Sequence, residues 1–396
     1  MRLAIISSHP IQYYAPWFRQ LTSVTDLIIR VFYLWSFGVT EQIDAGFQKA
    51  VQWDVPLLSD YDYEFVSNIS SNPGTHHFWG LQNPALIKRV KAFSPDVVLM
   101  MNYNYASLYQ FLWRWHRSPI LFRGDSHRLI PASGIKAVLR RQVISMIFKR
   151  FAACLYVGKA NAEYLRFHGV KNLFFSPHAI DNDRFISQAN QAKRAAIAWK
   201  QELGIPAHHA VVLFAGKFET KKRPIDLLDA FAAAQLPNVS LLMVGDGSLE
   251  PQLKTRSQDY RNVYFAPFQN QSLMPRTYAI ADVVVLPSYG AWETWGLAVN
   301  EAMCLGRPTI VSSHVGCAQD LVIPFETGLI FPAGDVRALT DCLREAFSDL
   351  PRLQAWGAAS QAHIQRYSYT QTTLGLQQAI AKIGRRDEAR LYHFRF

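Results

Sequence analysis

Short apolar runs, each followed by a polar loop and then a stretch of helical spacing, recur along almost the whole chain, and no other feature constrains the fold as tightly. In the first half the runs are LAIIS (3–7), LIIRVFYL (27–34), DVVLMM (96–101), PILFR (119–123) and ACLYVG (153–158), the last leading into a helix over 159–168 that stops at Gly169. The runs are continuously apolar, not alternating. That is what a parallel sheet covered by helices on both faces requires. A polar, Ala/Gln/Lys-rich stretch over 187–209, with a Gly-Ile-Pro stop at 204–206, reads as a helix plus linker and interrupts the alternation. It then restarts with AVVLFAG (210–216), VSLLMVG (239–245), NVYFAP (262–267), VVVLPS (283–288), PTIVSS (308–313) and GLIF (328–331), with helices expected at 225–235, 273–281, 296–305 and from 335. The reading is an α/β chain of two doubly wound domains facing a central cleft: 1–186, a linker region at 187–209, and 210–369. The helical tail, from about 370 to 396, is expected to pack back on the first domain. In such sheets ligands sit beyond the carboxyl ends of the strands.

Composition narrows the chemistry. A chain of 396 residues that is 49% apolar can bury two full cores. Its formal charge of +11 suits phosphates, nucleotide sugars or anionic lipid, and no recognition motif supports nucleic acid. Cys154, Cys304, Cys317 and Cys342 form no CxxC pair and have no neighbouring His cluster, which argues against zinc or a disulfide framework. The opening MRLAIISSHP is too short an apolar stretch for a leader peptide, and no run reaches the roughly 18 residues of a membrane span. A cytoplasmic enzyme is expected.

The most informative stretch is ETWGLAVNEAMCLGRP, 293–308. A strand ends at Ser288, a loop carries Glu293, and Gly296 opens a helix that carries Glu301. Backbone N–H groups at 296–298 and the helix dipole suit an anion such as a diphosphate. Glu301 lies roughly 8 Å along that helix, where an acceptor-only carboxylate can take two sugar hydroxyls. In GKFETKKRP (216–224), Lys217, Lys221, Lys222 and Arg223 crowd one turn, and such a cluster repels itself unless an anion sits there. It is not a nucleoside-triphosphate P-loop. Gly245 and Gly247 sit in a strand-to-helix turn where glycine permits close backbone approach.

Together these stretches resemble the family 4 retaining glycosyltransferases of the GT-B fold, built from two Rossmann-like domains. GKFETKKRPIDLL, LLMVGDG, VYFAPF, ADVVVLPS, the Glu-x7-Glu stretch and TGLIFPAGD occur in the family's order over most of the second half. The resemblance implies transfer of a sugar from a nucleotide-diphosphate donor to an acceptor hydroxyl, with the donor as substrate and no further cofactor. Gly216, Lys217, Lys222 and Gly245 would surround the diphosphate. Glu301 would hold the ribose, and Glu293 would lie near the transferred sugar. Thr294, Trp295, Gly296, Leu297 and Ala298 would offer backbone amides, and Phe268 and Gln269 would bracket the base. On the acceptor side His9, Gln12, Tyr13, Arg123, Asp125 and His127 end strands of the first half, and His127 stands with Glu293, Lys222 and Lys217 as a catalytic candidate. PHAID (177–181) replaces the family's usual hinge sequence, which leaves the role of His178 open.

Asp60/Asp62 and Asp181/Asp183 have metal-binding spacing, but lysines and a helix terminus can supply the positive charge, so no metal is expected. The acceptor is a glycan, a lipid-linked sugar or a small molecule. The basic segment 136–150 raises peripheral association with the inner face of an anionic membrane. Arg141 and Lys149 fall away from the face of Lys136 and Arg140, so a packed helix with basic edges is expected rather than an interfacial one. The alternatives are an epimerase or glycosyl phosphorylase on the same plan, or a non-catalytic binding partner.

Overall fold

The computed structural model describes the chain except residues 24–25, 40–41, 45–48, 132 and 394–396, and describes no side chains at 42–44, 49–51 and 385–393. It divides into two units. The first comprises Met1–Gln42, Pro56–His178 and Tyr369–Phe396; the second comprises Ile43–Val55 and Ala179–Ser368.

The first unit is built on strands β1 (Arg2–Ser7), β2 (Ile28–Tyr33), β5 (Tyr63–Phe65), β6 (Val97–Met100), β7 (Ile120–Arg123), β8 (Ala153–Tyr156) and β9 (Leu173–Phe175), with β3 (Gln42–Asp44) and β4 (Lys49–Val51) forming a separate two-stranded ladder. The seven lie in the order β5-β2-β1-β6-β7-β8-β9, all parallel. Every residue of β6 and β7 is buried, as two-sided helix cover demands. Phe32, Met100, Phe111, Phe122 and Phe148 lie at the heart of this core. Strands β5 and β9 were not legible in the sequence. Each is three residues long and only partly buried, too short to stand out.

The second unit holds β10 (Ala210–Ala215), β11 (Val239–Val244), β12 (Val263–Ala266), β13 (Val283–Leu286), β14 (Thr309–Ser312) and β15 (Gly328–Phe331), parallel in the order β12-β11-β10-β13-β14-β15. The strand order reverses between β10 and β13, the point in a doubly wound sheet where ligands bind. Phe214, Phe231, Met243, Val285, Phe331 and Trp356 anchor the core beneath it.

Three features differ from the sequence reading. The division falls between His178 and Ala179, not at 186. The stretch read as a helix plus linker is largely the expected helix, Ala189–Glu202, but it counts with the second unit, where it buries Ala192, Ala196 and Trp199; Arg276 stacks over the Trp199 ring at 4.3 Å. The segment 43–55 also counts with the second unit, which nothing in the sequence signalled. The tail helix Tyr369–His393 begins within the first unit, where Trp17 donates its indole N–H to Thr373 Oγ1 at 3.1 Å and Ser176 Oγ donates to the Thr372 carbonyl at 2.9 Å.

The helix Ile135–Phe148 also departs from expectation. It buries only Ile144, Ile147 and Phe148, and leaves Ile135, Val138, Leu139, Val143 and Met146 exposed. These fall at helical spacing on the face opposite the buried one, so the outward face is apolar with basic flanks. No helix among the described residues is long and apolar enough to cross a membrane. The four cysteines are all free.

Buried Asn83 ties strand ends together in the first unit. Its amide nitrogen donates to the carbonyls of Leu34 at 3.0 Å and Val66 at 2.8 Å, just beyond β2 and β5, and its Oδ1 accepts from Ser107 Oγ at 3.0 Å. Replacement by alanine strands these buried groups without partners, so Asn83→Ala should lose about 3 kcal/mol in urea unfolding.

Candidate active site

The donor-side residues gather at the switch point of the second unit. After β10 the chain passes Gly216 and Lys217 and forms a single turn at Thr220–Lys222. After β11 it turns back through Gly245 (φ +144°) and Gly247 (φ +151°). A Cβ on Gly245 would lie 1.9 Å from the Gly216 carbonyl oxygen, and one on Gly247 would lie 2.7 Å from that of Phe218. The two loops therefore interlock backbone to backbone, with Phe218 N–H donating to the Asp246 carbonyl at 2.9 Å. The sequence left these glycines between room for a ligand and an ordinary strand-to-helix turn; in the fold they give room to the neighbouring loop.

The crowded cations are not mutually exposed. Lys222 Nζ donates to Glu293 Oε2, Lys221 pairs with Glu219 at 2.8 Å, and Arg223 pairs with Asp226 at 2.7 Å. Lys221, Lys222 and Arg223 thus have carboxylates of the chain itself as partners, which corrects the expectation that only a bound anion could hold the cluster. Ser288 Oγ also donates to Glu293 Oε2, at 2.8 Å. Two donors from different loops therefore converge on one carboxylate oxygen. The 289–296 loop is pinned by Tyr289 N–H to the Lys221 carbonyl at 2.8 Å. Gly316 N–H donates to the Glu293 carbonyl at 3.0 Å and Cys317 N–H to the Trp295 carbonyl at 2.9 Å. Gly316 is required there, since a Cβ would sit 1.8 Å from the Thr294 carbonyl oxygen.

Gly296, at φ +100°, caps the helix Leu297–Cys304. Its position is tight, with Leu286 and Val315 methyl carbons each 2.9 Å from where a Cβ would be. Leu297 and Ala298 at the first turn are half-buried. The Trp295 side chain points inward, donating its indole N–H to Asn300 Oδ1 at 2.8 Å, so any ligand contact from this residue is through its backbone. Glu301 is only 2% exposed, which excludes a solvated helix face. Its Oε2 accepts from Tyr278 OH at 2.8 Å and its Oε1 from Gln271 Nε2 at 3.5 Å. Helix Leu297–Cys304 thus leads from the Glu293 cluster at its start to the Glu301 cluster in its body.

Gln271 belongs to the loop after β12 that also holds Phe268 and Gln269. Phe268 N–H donates to Asp246 Oδ2 at 3.0 Å, and Gln269 Oε1 accepts from Arg276 at 2.7 Å. Segment 52–54 lies against this loop. Trp53 meets Phe268 edge-on at 6.3 Å, Asn270 Nδ2 donates to the Gln52 carbonyl at 2.7 Å, and Ser272 N–H donates to Asp54 Oδ1 at 3.0 Å.

In the first unit the acceptor-side candidates separate. Arg123 is wholly buried between the rings of Tyr14 (5.5 Å) and Trp17 (5.2 Å), and donates to the carbonyls of Pro177 at 2.8 Å and Ser176 at 3.4 Å. It braces β7 to the chain leaving β9, while its Nε and Nη1 are buried without a hydrogen-bond partner among the described residues. Asp125 Oδ2 meets His178 Nε2 at 3.3 Å, and the His178 ring stacks on Tyr14. Burial lowers the His178 pKa, opposed by the Asp125 hydrogen bond. His127 Nδ1 accepts from Leu129 N–H at 3.3 Å. Gln12 and Tyr13 are half-buried after β1. His9 lies edge-on to Trp35 (5.8 Å) and Phe37 (5.5 Å), and desolvation pushes its pKa down to about 4. Of the metal-spaced pairs, Asp62 binds Arg30 at 2.6 Å, and Asp181 caps a helix through Arg184 N–H at 3.0 Å. Among the described residues no group of three or more His, Cys, Asp or Glu is placed to share a metal ion.

A sequence profile described as glycosyl transferases group 1 matches residues 196–363. Residues 196–363 thus resemble a group 1 glycosyltransferase domain. This domain contains the Lys222–Glu293–Ser288 and Glu301–Tyr278–Gln271 clusters. The chain is 30% identical over 201 residues to the D-inositol 3-phosphate glycosyltransferase of Mycolicibacterium smegmatis, covering 49% of this chain and 43% of that protein. It is 30% identical over 197 residues to the GDP-mannose-dependent monoacylated alpha-(1-6)-phosphatidylinositol monomannoside mannosyltransferase of Corynebacterium glutamicum, covering 48% and 50%. The matches thus span about half the length of these curated relatives. Over the whole fold the chain resembles sucrose-phosphate synthase from Thermosynechococcus elongatus, with a TM-score of 0.70 at 20% identity, covering 97% of this chain and 99% of that one. It likewise resembles Anabaena HepE in complex with UDP and glucose, with a TM-score of 0.70 at 17% identity, covering 96% and 100%. The architecture is GT-B.

Tyr278, Gln271, Ser288 and Tyr14 escaped the sequence reading. Each is a common residue in an apolar or loop context, and only the fold brings it onto a carboxylate or an imidazole.

The depressed His9 sets a pH dependence. The unfolded chain takes up the His9 proton near its ordinary pKa of 6.5, whereas the folded chain resists until about 4. Stability therefore falls as pH drops through that window and the contribution is intact above it. Urea midpoints at pH 7 and pH 4.5 should differ more for the wild type than for His9→Gln.

Proposed function

We propose that the chain is a retaining glycosyltransferase that moves a sugar from a nucleotide-diphosphate sugar to an acceptor hydroxyl, in the synthesis of a cell-surface polysaccharide or related glycoconjugate. The observation that carries this reading is the convergence of Lys222 and Ser288 on Glu293 at the switch point, beside the helix terminus at Gly296 and the buried Glu301. A diphosphate arriving there competes with Glu293 for Lys222. The lysine turns to the phosphate, as do Lys217 and the amides of 296–298. Glu293 is then released to accept hydroxyls of the sugar while Ser288 keeps it in place. Glu301, oriented by Tyr278, takes the ribose hydroxyls, which puts the base beyond them on the loop of Phe268 and Gln269.

Transfer forms a bond from the acceptor oxygen to the anomeric carbon and breaks the bond from that carbon to the phosphate oxygen. The acceptor approaches from the leaving-group face, so configuration is retained. Its proton passes to a departing phosphate oxygen, and the nucleoside diphosphate leaves with it. Negative charge growing on the diphosphate is met by Lys217, Lys222 and the helix terminus, each well-placed donor worth a few kcal/mol. No metal ion and no protein base is required. Glycosyltransferase and mannosyltransferase relatives, and a structural neighbour holding UDP and glucose, support the donor class. The acceptor is a glycan, lipid-linked or small-molecule hydroxyl presented by the first unit, at the cytoplasmic face of a membrane.

Thermal-shift titrations with UDP, GDP and ADP in EDTA should give stabilisation by one nucleotide that Lys222→Ala loses. Lys222→Ala and Glu301→Ala should each cut transfer about tenfold or more. Wild-type-like transfer in both variants would refute the site.

A further inference from the structure

The donor reading leaves the nucleotide base on the loop of Phe268 and Gln269, and the polar side chains of that loop are already engaged. Gln269 Oε1 accepts from Arg276 at 2.7 Å, while its Nε2 donates to the Pro267 carbonyl at 2.8 Å. Asn270 Oδ1 accepts from Gln271 N–H at 2.8 Å, and its Nδ2 donates to the Gln52 carbonyl at 2.7 Å. Gln271 Oε1 accepts from Arg184 at 3.0 Å, and its Nε2 reaches Glu301 at 3.5 Å. The side chain on this loop suited to meet a planar heterocycle is the half-buried Phe268 ring.

A second ring stands beside it and comes from a distant part of the chain. Segment 43–55 leaves the first unit between β2 and β5 and counts with the second. Its Trp53 meets Phe268 at 6.3 Å between ring centroids, with the two planes 65° apart. Rings set edge-on in this way form an open corner. A flat group can lie on the face of one ring and against the edge of the other.

The chain fixes Trp53 on both sides. Before it, the Gln52 carbonyl is held by Asn270. After it, both carboxylate oxygens of Asp54 are taken by Ser272, Oδ1 by the backbone N–H at 3.0 Å and Oδ2 by the hydroxyl. Gln52 and Asp54 are exposed, and the Trp53 ring between them is only half-buried. The fastening therefore does little for burial. What it does is fix where a large, rigid ring stands relative to Phe268.

We propose that Trp53 belongs to the nucleotide site and supplies, beside Phe268, the second ring against which the heterocyclic base of the donor packs. The inference rests on the donor reading above and deepens it. Trp53 lies far outside residues 196–363, so the family likeness does not assign it. Every nucleobase presents a π-face, so such a ring adds affinity whichever base is bound.

Titration of the full chain with UDP, GDP and ADP, followed by thermal shift and by tryptophan fluorescence, tests it. The nucleotide that stabilises wild type should bind Trp53→Ala about tenfold or more weakly, as the loss of a base–aromatic stack requires. Trp53→Phe keeps a ring and should recover most of that affinity. Inorganic pyrophosphate carries no base and should bind all three proteins alike. At saturation the nucleotide should quench the emission of wild type more than that of Trp53→Phe, because the stacked indole is the one removed. Should Trp53→Ala fail to fold, that difference in quenching decides by itself. Equal nucleotide affinity in wild type and Trp53→Ala, or equal quenching in wild type and Trp53→Phe, would overturn the proposal and leave the donor reading standing. A loss of pyrophosphate binding matching that of the nucleotide would also overturn it, since the ring would then act through the phosphate loops. Failure of wild type to respond to any nucleotide would remove the donor reading and this proposal with it.

Discussion

Lys222 and Glu293 meet where the strand order of the second sheet reverses, and much of the surrounding architecture exists to make that meeting possible. One residue follows β10 and the other follows β13, so the pair joins two loops that are more than seventy positions apart in sequence but adjacent in the sheet. Ser288 converges on the same carboxylate oxygen. The loop that carries Glu293 is fastened to the turn at Gly316 and Cys317 and to the Lys221 carbonyl, so the carboxylate is held from both sides. Lys222 is thereby oriented towards an oxygen anion that the chain itself supplies. The neighbouring pairs Lys221–Glu219 and Arg223–Asp226 keep the rest of the cluster from repelling itself.

Two charged groups sealed inside the molecule came to opposite ends. Glu301 keeps polar donors from the side chains of Tyr278 and Gln271. Arg123 ends a strand in the first unit, where the topology makes a ligand contact natural, yet it lies between two aromatic rings and spends its hydrogen bonds on the backbone at Ser176 and Pro177. A buried charge has to be satisfied by whatever the fold places around it. For Arg123 the surroundings are carbonyls, which take only Nη2, and ring faces, leaving Nε and Nη1 without a hydrogen-bond partner among the described residues. The polar partner at that strand end is the next acidic residue, Asp125, which reaches His178.

The first sheet is charged at its amino edge and aromatic at its carboxyl edge. His9, Trp35, Phe37 and Tyr14 gather beyond β1 and β2, where desolvation pushes the His9 pKa down to about 4 and lowers that of His178. Lysines and arginines gather at the other edge, around the starts of β7 and β8. A parallel sheet covered on both faces has only its two edges left for polar chemistry, and this chain furnishes the two differently.

Much of this protein was decided by local sequence. Continuous apolar runs fixed nearly every strand of both sheets, because a strand buried on two faces cannot afford polar residues. The order of loops fixed that Lys217, Lys222, Glu293 and Glu301 would share the second unit. Interactions between distant segments decided the rest. No local pattern distinguishes Tyr278 or Ser288 from ordinary core and loop residues, since their meaning lies in a carboxylate 23 residues away for one and five for the other. The close approach that requires Gly245 is to a neighbouring loop that only sheet pairing brings near. The outward face of Ile135–Phe148 could not be read from its basic residues, because spacing gives a helix two faces and only packing chooses which one is buried.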